Sequence, residues 1–560
     1  MATTGGQALV EQLRREGVEV VFGIPGVQLD WAVDALHGAS DHIRYVVPRH
    51  EQTTSYMADR YARSTGKEGV CMVVPGPGML NALAGLATSW ACNSRVLFIA
   101  GQIPSDAIGK GHGMLHEIAD QSGILRSLTK WHGIALKPAD IPALVHEAFV
   151  QLRSGRPRPV ALEMPPDVLQ ATAKDISYFD AAPFAAGSVD AAKTRQAATL
   201  LADAKFPVIY AGGGVGAVGA GAALQALAEK LQAPVVMSEG ARGSLSNRHP
   251  LALFTLGGRA VLPHADVVLV AGSRFLDGHG DPFSTAPNAK LIYLNLDEGA
   301  FAAPRKPGLS ILGDVGVGLK AIVAVLGDLR DRPSRAGDVA KVRNWERVQT
   351  QAIKPQAEYA AALRENIADD ETLISELTQV GYFANLAYES FLPGTFLTPG
   401  FQGTLGYGFP TALGVSIGAP NKRTVSITGD GGFGWGLQDL ATAAKYKLNL
   451  TIVVFVDGYF GNVRRIQRRV FGRETGDDLQ NPDFALLARA FGIGFESVDS
   501  PKGLSAALAA AKSTKGPCLI EVRVGEMPSP WALIHPFVPA PAPPPPNPLG
   551  EPMTQETICV

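Results

Sequence analysis

Between Thr424 and Tyr459 the chain runs strand, glycine turn, helix and strand in succession, an order that confines this stretch to a parallel α/β sheet. Thr424 to Thr428 is β-branched and apolar, as a buried parallel strand requires, whereas Gly429 to Gly436 is too rich in glycine for either a strand or a helix. Leu437 to Tyr446 then reads as a helix and Leu450 to Val456 as the next buried strand, with Asp457 where it ends. Such an order aims backbone N–H groups and the positive end of a helix dipole at an anion. Open α/β sheets bind ligands outside the carboxyl ends of neighbouring parallel strands, so Asp430 and Asp457 are placed to share one ion. Mg2+ suits them, because it takes hard oxygen ligands and commonly bridges protein oxygens to phosphates.

The rest of the chain is read as α/β throughout, with three doubly wound parallel-sheet domains. Its 560 residues are enough for about three domains, and 46% hydrophobic residues with 62 glycines suit that architecture. The first domain spans 1–170, where Val18–Phe22, Val70–Val74, Val96–Ala100 and Val160–Met164 alternate with helical stretches. Ala171 to Ala192 reads as a linker. A Rossmann-like middle domain covers 190–335, with Gly212 to Gly219 after the strand Pro207–Ala211; a structural role for this turn is favoured over a nucleotide site. The charged stretch Asp328 to Gln356 reads as a second linker or a surface helix, and the third domain covers 357–535. Residues 536–560 form a tail in which Pro536 to Pro548 should be an extended arm.

Charge and cysteine usage narrow the function classes. A net charge of −2, with no basic cluster longer than Arg464-Arg465 and Arg468-Arg469, argues against nucleic acid as partner. Cys71, Cys92, Cys518 and Cys559 have no metal spacing and read as reduced thiols, there is no membrane-length apolar stretch, and a cytoplasmic protein is expected.

Gly429-Asp430-Gly431 with Asp457 resembles the signature of thiamine diphosphate-dependent enzymes, in which Gly-Asp-Gly is followed at similar spacing by Asn-Asn. The resemblance implies Mg2+ held by Asp430, Asp457 and the backbone carbonyl of Tyr459, with Gly429, Gly431 and Gly432 at the diphosphate. Val456-Asp457 replaces Asn-Asn, which keeps a ligand oxygen and adds a negative charge. Arg49-His-Glu51-Gln52 resembles the motif whose glutamate holds N1′ of the cofactor's aminopyrimidine, which makes Glu51 the expected proton relay. Phe22-Gly-Ile-Pro25-Gly26 and Pro75-Gly-Pro-Gly78 with Asn81 resemble cofactor-binding turns of the same family. Phe401 to Gly408 resembles the loop that bends the cofactor, with Leu405 as the wedge between its rings and the Gly403 carbonyl as acceptor from the 4′-amino group.

The domain order is similar to that of the acetohydroxyacid synthase and 2-oxo acid decarboxylase group, in which the cofactor lies between two subunits. A homodimer is then the smallest working unit, and a homotetramer is the family habit. The resemblance implies decarboxylation of a pyruvate-like 2-oxo acid. If a second carbonyl then takes up the remaining unit, a 2-hydroxyketone such as acetolactate results; if a proton does, an aldehyde leaves. Adjacent histidines typical of simple pyruvate decarboxylases are missing, which favours ligation, with decarboxylation of a larger 2-oxo acid to an aldehyde as the alternative. Gly111 to Glu117 resembles the Phe-Gln-Glu region of the synthases, making His116 the candidate acid or base near the reacting carbon. Val27, Leu115, Gln402, Asn462 and Val463 are expected on the substrate side. Ile466 stands where the synthases carry a selective tryptophan, and Arg274-Phe-Leu-Asp-Gly278 where they carry Arg-Phe-Asp-Asp-Arg beside FAD, so FAD is left open.

Overall fold

The computed structural model describes residues 2–552 except 186, 278–279, 303–305, 328, 330–331, 536–537 and 539–542. Three six-stranded sheets follow one another along the chain. The first contains β1 (Val20–Gly23), β2 (Arg44–Val46), β3 (Gly69–Val73), β4 (Val96–Gly101), β5 (His132–Ile134) and β6 (Val160–Met164), in the order β2-β1-β3-β4-β6-β5. All its neighbours run parallel. The middle sheet contains β7 (Pro207–Ala211), β8 (Val235–Met237), β9 (Ala252–Leu253), β10 (Val267–Ala271), β11 (Lys290–Asn295) and β12 (Leu309–Leu312). Its order, β9-β8-β7-β10-β11-β12, is that of a dinucleotide-binding fold. The third contains β13 (Thr372–Ser375), β14 (Phe396–Leu397), β15 (Thr424–Gly429), β16 (Leu450–Val456), β17 (Gly494–Val498) and β18 (Cys518–Arg523). It runs β14-β13-β15-β16-β18-β17, the strand order of the first sheet repeated.

Parallel sheets covered on both faces need strands that are apolar along their whole length. Every residue of β4 is buried, and so is β16 up to Phe455. Each such Leu, Ile, Val or Phe contributes roughly 1.5–3 kcal/mol of transfer free energy. The first and third domains also share one apolar cluster, in which Tyr56, Met57 and Tyr61 of the helix Glu51–Thr65 meet Leu413 and Val415 of the helix Gly408–Gly418. The two helices approach backbone to backbone: a Cβ on Gly414 would lie 2.3 Å from the Met57 carbonyl oxygen. Asp439 ties the same domains by accepting from the Arg49 N–H at 2.7 Å.

The structure adds local detail at three places. The turn from Gly429 is partly helical, since Asp430–Phe433 forms one short helix, and the segment beyond it splits into a 3-10 turn at Leu437–Asp439 and the helix Leu440–Lys445. The charged stretch read as a linker or surface helix holds the helix Ala336–Gln351, whose Val339 and Val342 belong to the middle domain's core; charged residues fill its outer positions and mask that inner face. The Gly212–Gly219 turn is crowded by protein backbone, because a Cβ on Gly212 would lie 2.3 Å from the Gly272 carbonyl oxygen. Packing therefore accounts for that glycine. Gly278 of the motif expected beside FAD lies outside the described residues, as do 536–537, 539–542 and 553–560 of the tail. Where the arm is described it rests on the middle domain, with the Pro545 carbonyl accepting from Trp345 Nε1 at 3.1 Å and Asn547 donating to the Ala260 carbonyl at 3.1 Å. Among the described residues no helix is long and apolar enough to cross a membrane.

Candidate active site

β15 and β16 are hydrogen-bonded neighbours with Gly429 opposite Phe455, so Asp430 and Asp457 leave the same sheet edge side by side. Asp430 is 4% exposed. Its Oδ2 accepts from the Gly458 N–H at 2.9 Å, and so reaches the residue directly after Asp457. The same oxygen accepts from Asn481 Nδ2 at 2.7 Å, while Oδ1 accepts from the Gly431 N–H at 3.0 Å. Asp457 Oδ1 accepts from the Tyr459 N–H at 3.1 Å. Burial, and after it the negative charge of Asp430, pushes the Asp457 carboxyl up to about 6. Two carboxylates in such proximity resist joint ionisation, and a dication between them removes the conflict.

Around this pair the chain assembles the rest of an anion site. The helices Gln379–Ala387 and Gly461–Phe471 both begin beside it: a Cβ on Gly461 would lie 3.0 Å from Asp457 Oδ2 and 3.3 Å from Gln379 Nε2. A small cleft there is lined by Gln379, Asp457, Tyr459, Gly461, Arg464 and Arg465, among others. Gln379 Oε1 is buried with no hydrogen-bond partner among the described residues. Two acids, a nearby carbonyl, helix starts, a free amide and two arginines form a donor set that fits Mg2+ and a diphosphate. No group of three or more His, Cys, Asp or Glu side chains among the described residues could hold a metal, so any ion here must draw on main-chain and ligand oxygens.

The loop expected to bend the cofactor lies against this turn. Gly403 and Gly406 take φ of 54° and 74°, which a glycine adopts without strain. Leu405 between them is 40% exposed, and Gln402 is exposed as well. Glu376, buried at the end of β13, accepts from the N–H groups of Gly406 and Gly408 and from the Thr428 hydroxyl.

Glu51 is the first residue of its helix, after His50, whose Nδ1 accepts from the Gln52 N–H. Its Oε2 accepts from Asn81 Nδ2 at 3.1 Å, and a Cβ on Gly78 would lie 3.7 Å from Oε1. Pro25, Gly26 and Val27 form the turn after β1, and a Cβ on Gly26 would strike Val74 Cγ1 at 2.4 Å. His116 holds φ of 70°, and its carbonyl oxygen would sit 2.3 Å from a Cβ on Gly76, so the two expected turns fit against each other. Its Nδ1 is buried without a partner among the described residues. The stretch His112 to His116 is not helical. Val27 and Leu115 of the first domain, and Leu405, Trp435 and Val463 of the third, all leave apolar side chains exposed. Asn462 accepts from Arg465 Nη2.

Glu51 bonds to Asn81, and the aspartates bond to Gly458, Tyr459 and Asn481. Gln379, Glu376 and Asn481 were not anticipated from sequence. Glu376 ends a parallel strand as Asp430 does and was open to the same rule; Asn481 lies in an irregular segment that carries no motif. Because Asn481 fixes the orientation of Asp430, Asn481→Ala should weaken Mg2+ binding about tenfold, as loss of a partner behind a metal ligand commonly does. A Mg2+ titration at constant thiamine diphosphate reads this directly.

Three family models match the chain. The thiamine pyrophosphate enzyme N-terminal TPP binding domain covers residues 3–124, the central domain 194–322, and the C-terminal TPP binding domain 377–522. A probable 2-ketoarginine decarboxylase of Pseudomonas aeruginosa is 35% identical over 532 residues, spanning 93% of this chain and 94% of its own length. An acetolactate synthase of Arthrospira platensis is 32% identical over 566 residues, with the same two shares of 93% and 94%. The large subunit of acetolactate synthase isozyme 3 of Escherichia coli is 31% identical over 540 residues, covering 91% of this chain and 92% of its own.

Proposed function

The chain belongs to the thiamine pyrophosphate enzyme family, and on that premise we propose that it decarboxylates a pyruvate-like 2-oxo acid and joins the remaining unit to a second carbonyl, giving a 2-hydroxyketone as acetolactate synthases do. One observation carries the cofactor part of this reading: the carboxylate of Asp430 is hydrogen-bonded to the residue next to Asp457 at adjacent strand ends. Asp430, Asp457 and the Tyr459 carbonyl would hold Mg2+, with the main chain of Gly429, Gly431 and Gly432 at the diphosphate. Leu405 would support the bend of the cofactor, and the Gly403 carbonyl would be its acceptor for the 4′-amino group. Bound thiamine diphosphate supplies the carbon nucleophile and the electron sink for CO2 loss.

The protein's own work is then positioning and proton transfer. Glu51 holds a proton at N1′ of the aminopyrimidine. His116, whose Nδ1 has no partner among the described residues, donates or removes a proton beside the substrate carbonyl. Val27, Leu115 and Val463 limit water, Gln402 and Asn462 face the substrate, and water exclusion favours ligation over release of an aldehyde. The exposed apolar residues on both domains support a homodimer in which Glu51 of one subunit completes the aspartate site of the other. A homotetramer is the family's further step.

Incubated with pyruvate, Mg2+ and thiamine diphosphate, the protein should accumulate a chiral 2-hydroxy acid ketone, read by chiral gas chromatography. Aldehyde as the only product, from pyruvate or from a larger 2-oxo acid, would replace this reading with the decarboxylase one, which the Pseudomonas relative's name supports.

A further inference from the structure

Glu376 is 2% exposed and is approached from three directions. Oε1 accepts from the Gly406 N–H at 3.0 Å; Oε2 accepts from the Gly408 N–H at 2.8 Å and from the Thr428 hydroxyl at 2.8 Å. A Cβ on Gly432 would lie 1.9 Å from Oε1. One carboxylate therefore touches the loop of Gly403 and Leu405, the end of β15, and the turn that opens with Asp430.

We propose that Glu376 is a positioning residue that locks the cofactor-bending loop to the metal turn, so that the two anchors of thiamine diphosphate are held at one fixed spacing. The proposal rests on the cofactor reading above.

The chemistry calls for a carboxylate. Three donors converge on the side chain, and an ionised carboxylate only accepts, whereas a carboxamide of the same size would turn an NH2 group toward at least one N–H. A buried amide left facing another donor loses its hydrogen bond with no water to replace it. Burial pushes the Glu376 carboxyl up to about 6, which leaves it ionised at neutral pH. No arginine or lysine is among the groups it bonds, so its charge is held by oriented dipoles. Such an arrangement is sensitive to the position of each donor. Movement of the loop by a fraction of an ångström is resisted at both ends.

Calorimetric titration of thiamine diphosphate into the apo protein with Mg2+ tests this on the parent, Glu376→Gln and Thr428→Val. Glu376→Gln should weaken cofactor binding about tenfold or more, with Thr428→Val intermediate, since it removes one donor of three. At saturating cofactor, Glu376→Gln should also alter the near-ultraviolet circular dichroism of the bound aminopyrimidine and lower kcat. A lowered unfolding temperature with parental affinity and parental dichroism would mean a merely structural role and overturn the proposal. Where Glu376→Gln does not fold, Thr428→Val decides on the same two readouts, and parental values for it overturn the proposal. Failure of the parent to bind the cofactor is a separate result, and it overturns the cofactor reading itself.

Discussion

Glu51→Gln protein should take up thiamine diphosphate and Mg2+ as the parent does, yet turn over about 10²–10⁴-fold more slowly, the usual range for loss of a positioned acid or base. The substitution keeps the size of the side chain. Its amide oxygen still accepts from Asn81 Nδ2, and the helix Glu51–Thr65 keeps its His50 cap. Losing a negative charge in the first turn of a helix costs only about 0.3–1 kcal/mol, so the fold should persist. What disappears is a group able to exchange a proton with N1′. Calorimetry for binding and steady-state rates at saturating cofactor separate the two effects, and turnover near the parental rate would remove Glu51 from the relay.

The second large effect concerns Asp430. Asp430→Asn should weaken Mg2+-dependent cofactor binding by more than about 100-fold, exceeding what loss of a supporting residue costs. Oδ2 receives two N–H donors, from Gly458 and Asn481, while Oδ1 receives one from Gly431. An asparagine has one acceptor oxygen and one NH2, so either orientation sets donor against donor in a site that is nearly solvent-free. The charge that draws the cation goes as well. Asp457→Asn should behave differently, because its Oδ1 needs to accept only from the Tyr459 N–H and the change removes a buried charge, whose burial and then repulsion by Asp430 raise the carboxyl. Affinity in Asp457→Asn should stay near the parental value. Equal losses in the two variants would contradict the unequal roles given to the pair.

These expectations also mark what could be read from the chain. The strand Leu450–Val456 coincides with its apolar run, and Thr424–Gly429 extends the expected strand by one residue, because buried parallel strands leave an unbroken signal. The doubly wound pattern of the first and third domains was legible as alternating strands and helices, and both have the same strand order. The helix Ala336–Gln351 was harder, since its buried valines are spaced among charges that dominate the composition. Motif residues such as Glu51, Asp430 and Asp457 announce themselves through neighbouring glycines and strand ends. Glu376 bonds Thr428 over 52 positions of sequence and Asn481 bonds Asp430 over 51, and no local pattern reports a partner that distant.

The backbone contact between the helices Glu51–Thr65 and Gly408–Gly418 has a mechanical consequence. With Gly414 seated against the Met57 carbonyl, backbone meets backbone at that crossing, which resists hinging of the two domains of one chain there. Traffic of substrate and product is left to the surface segments. Gly109, Gly111 and Gly113, which hold positive φ in open space just before Leu115 and His116, leave one such segment free to swivel.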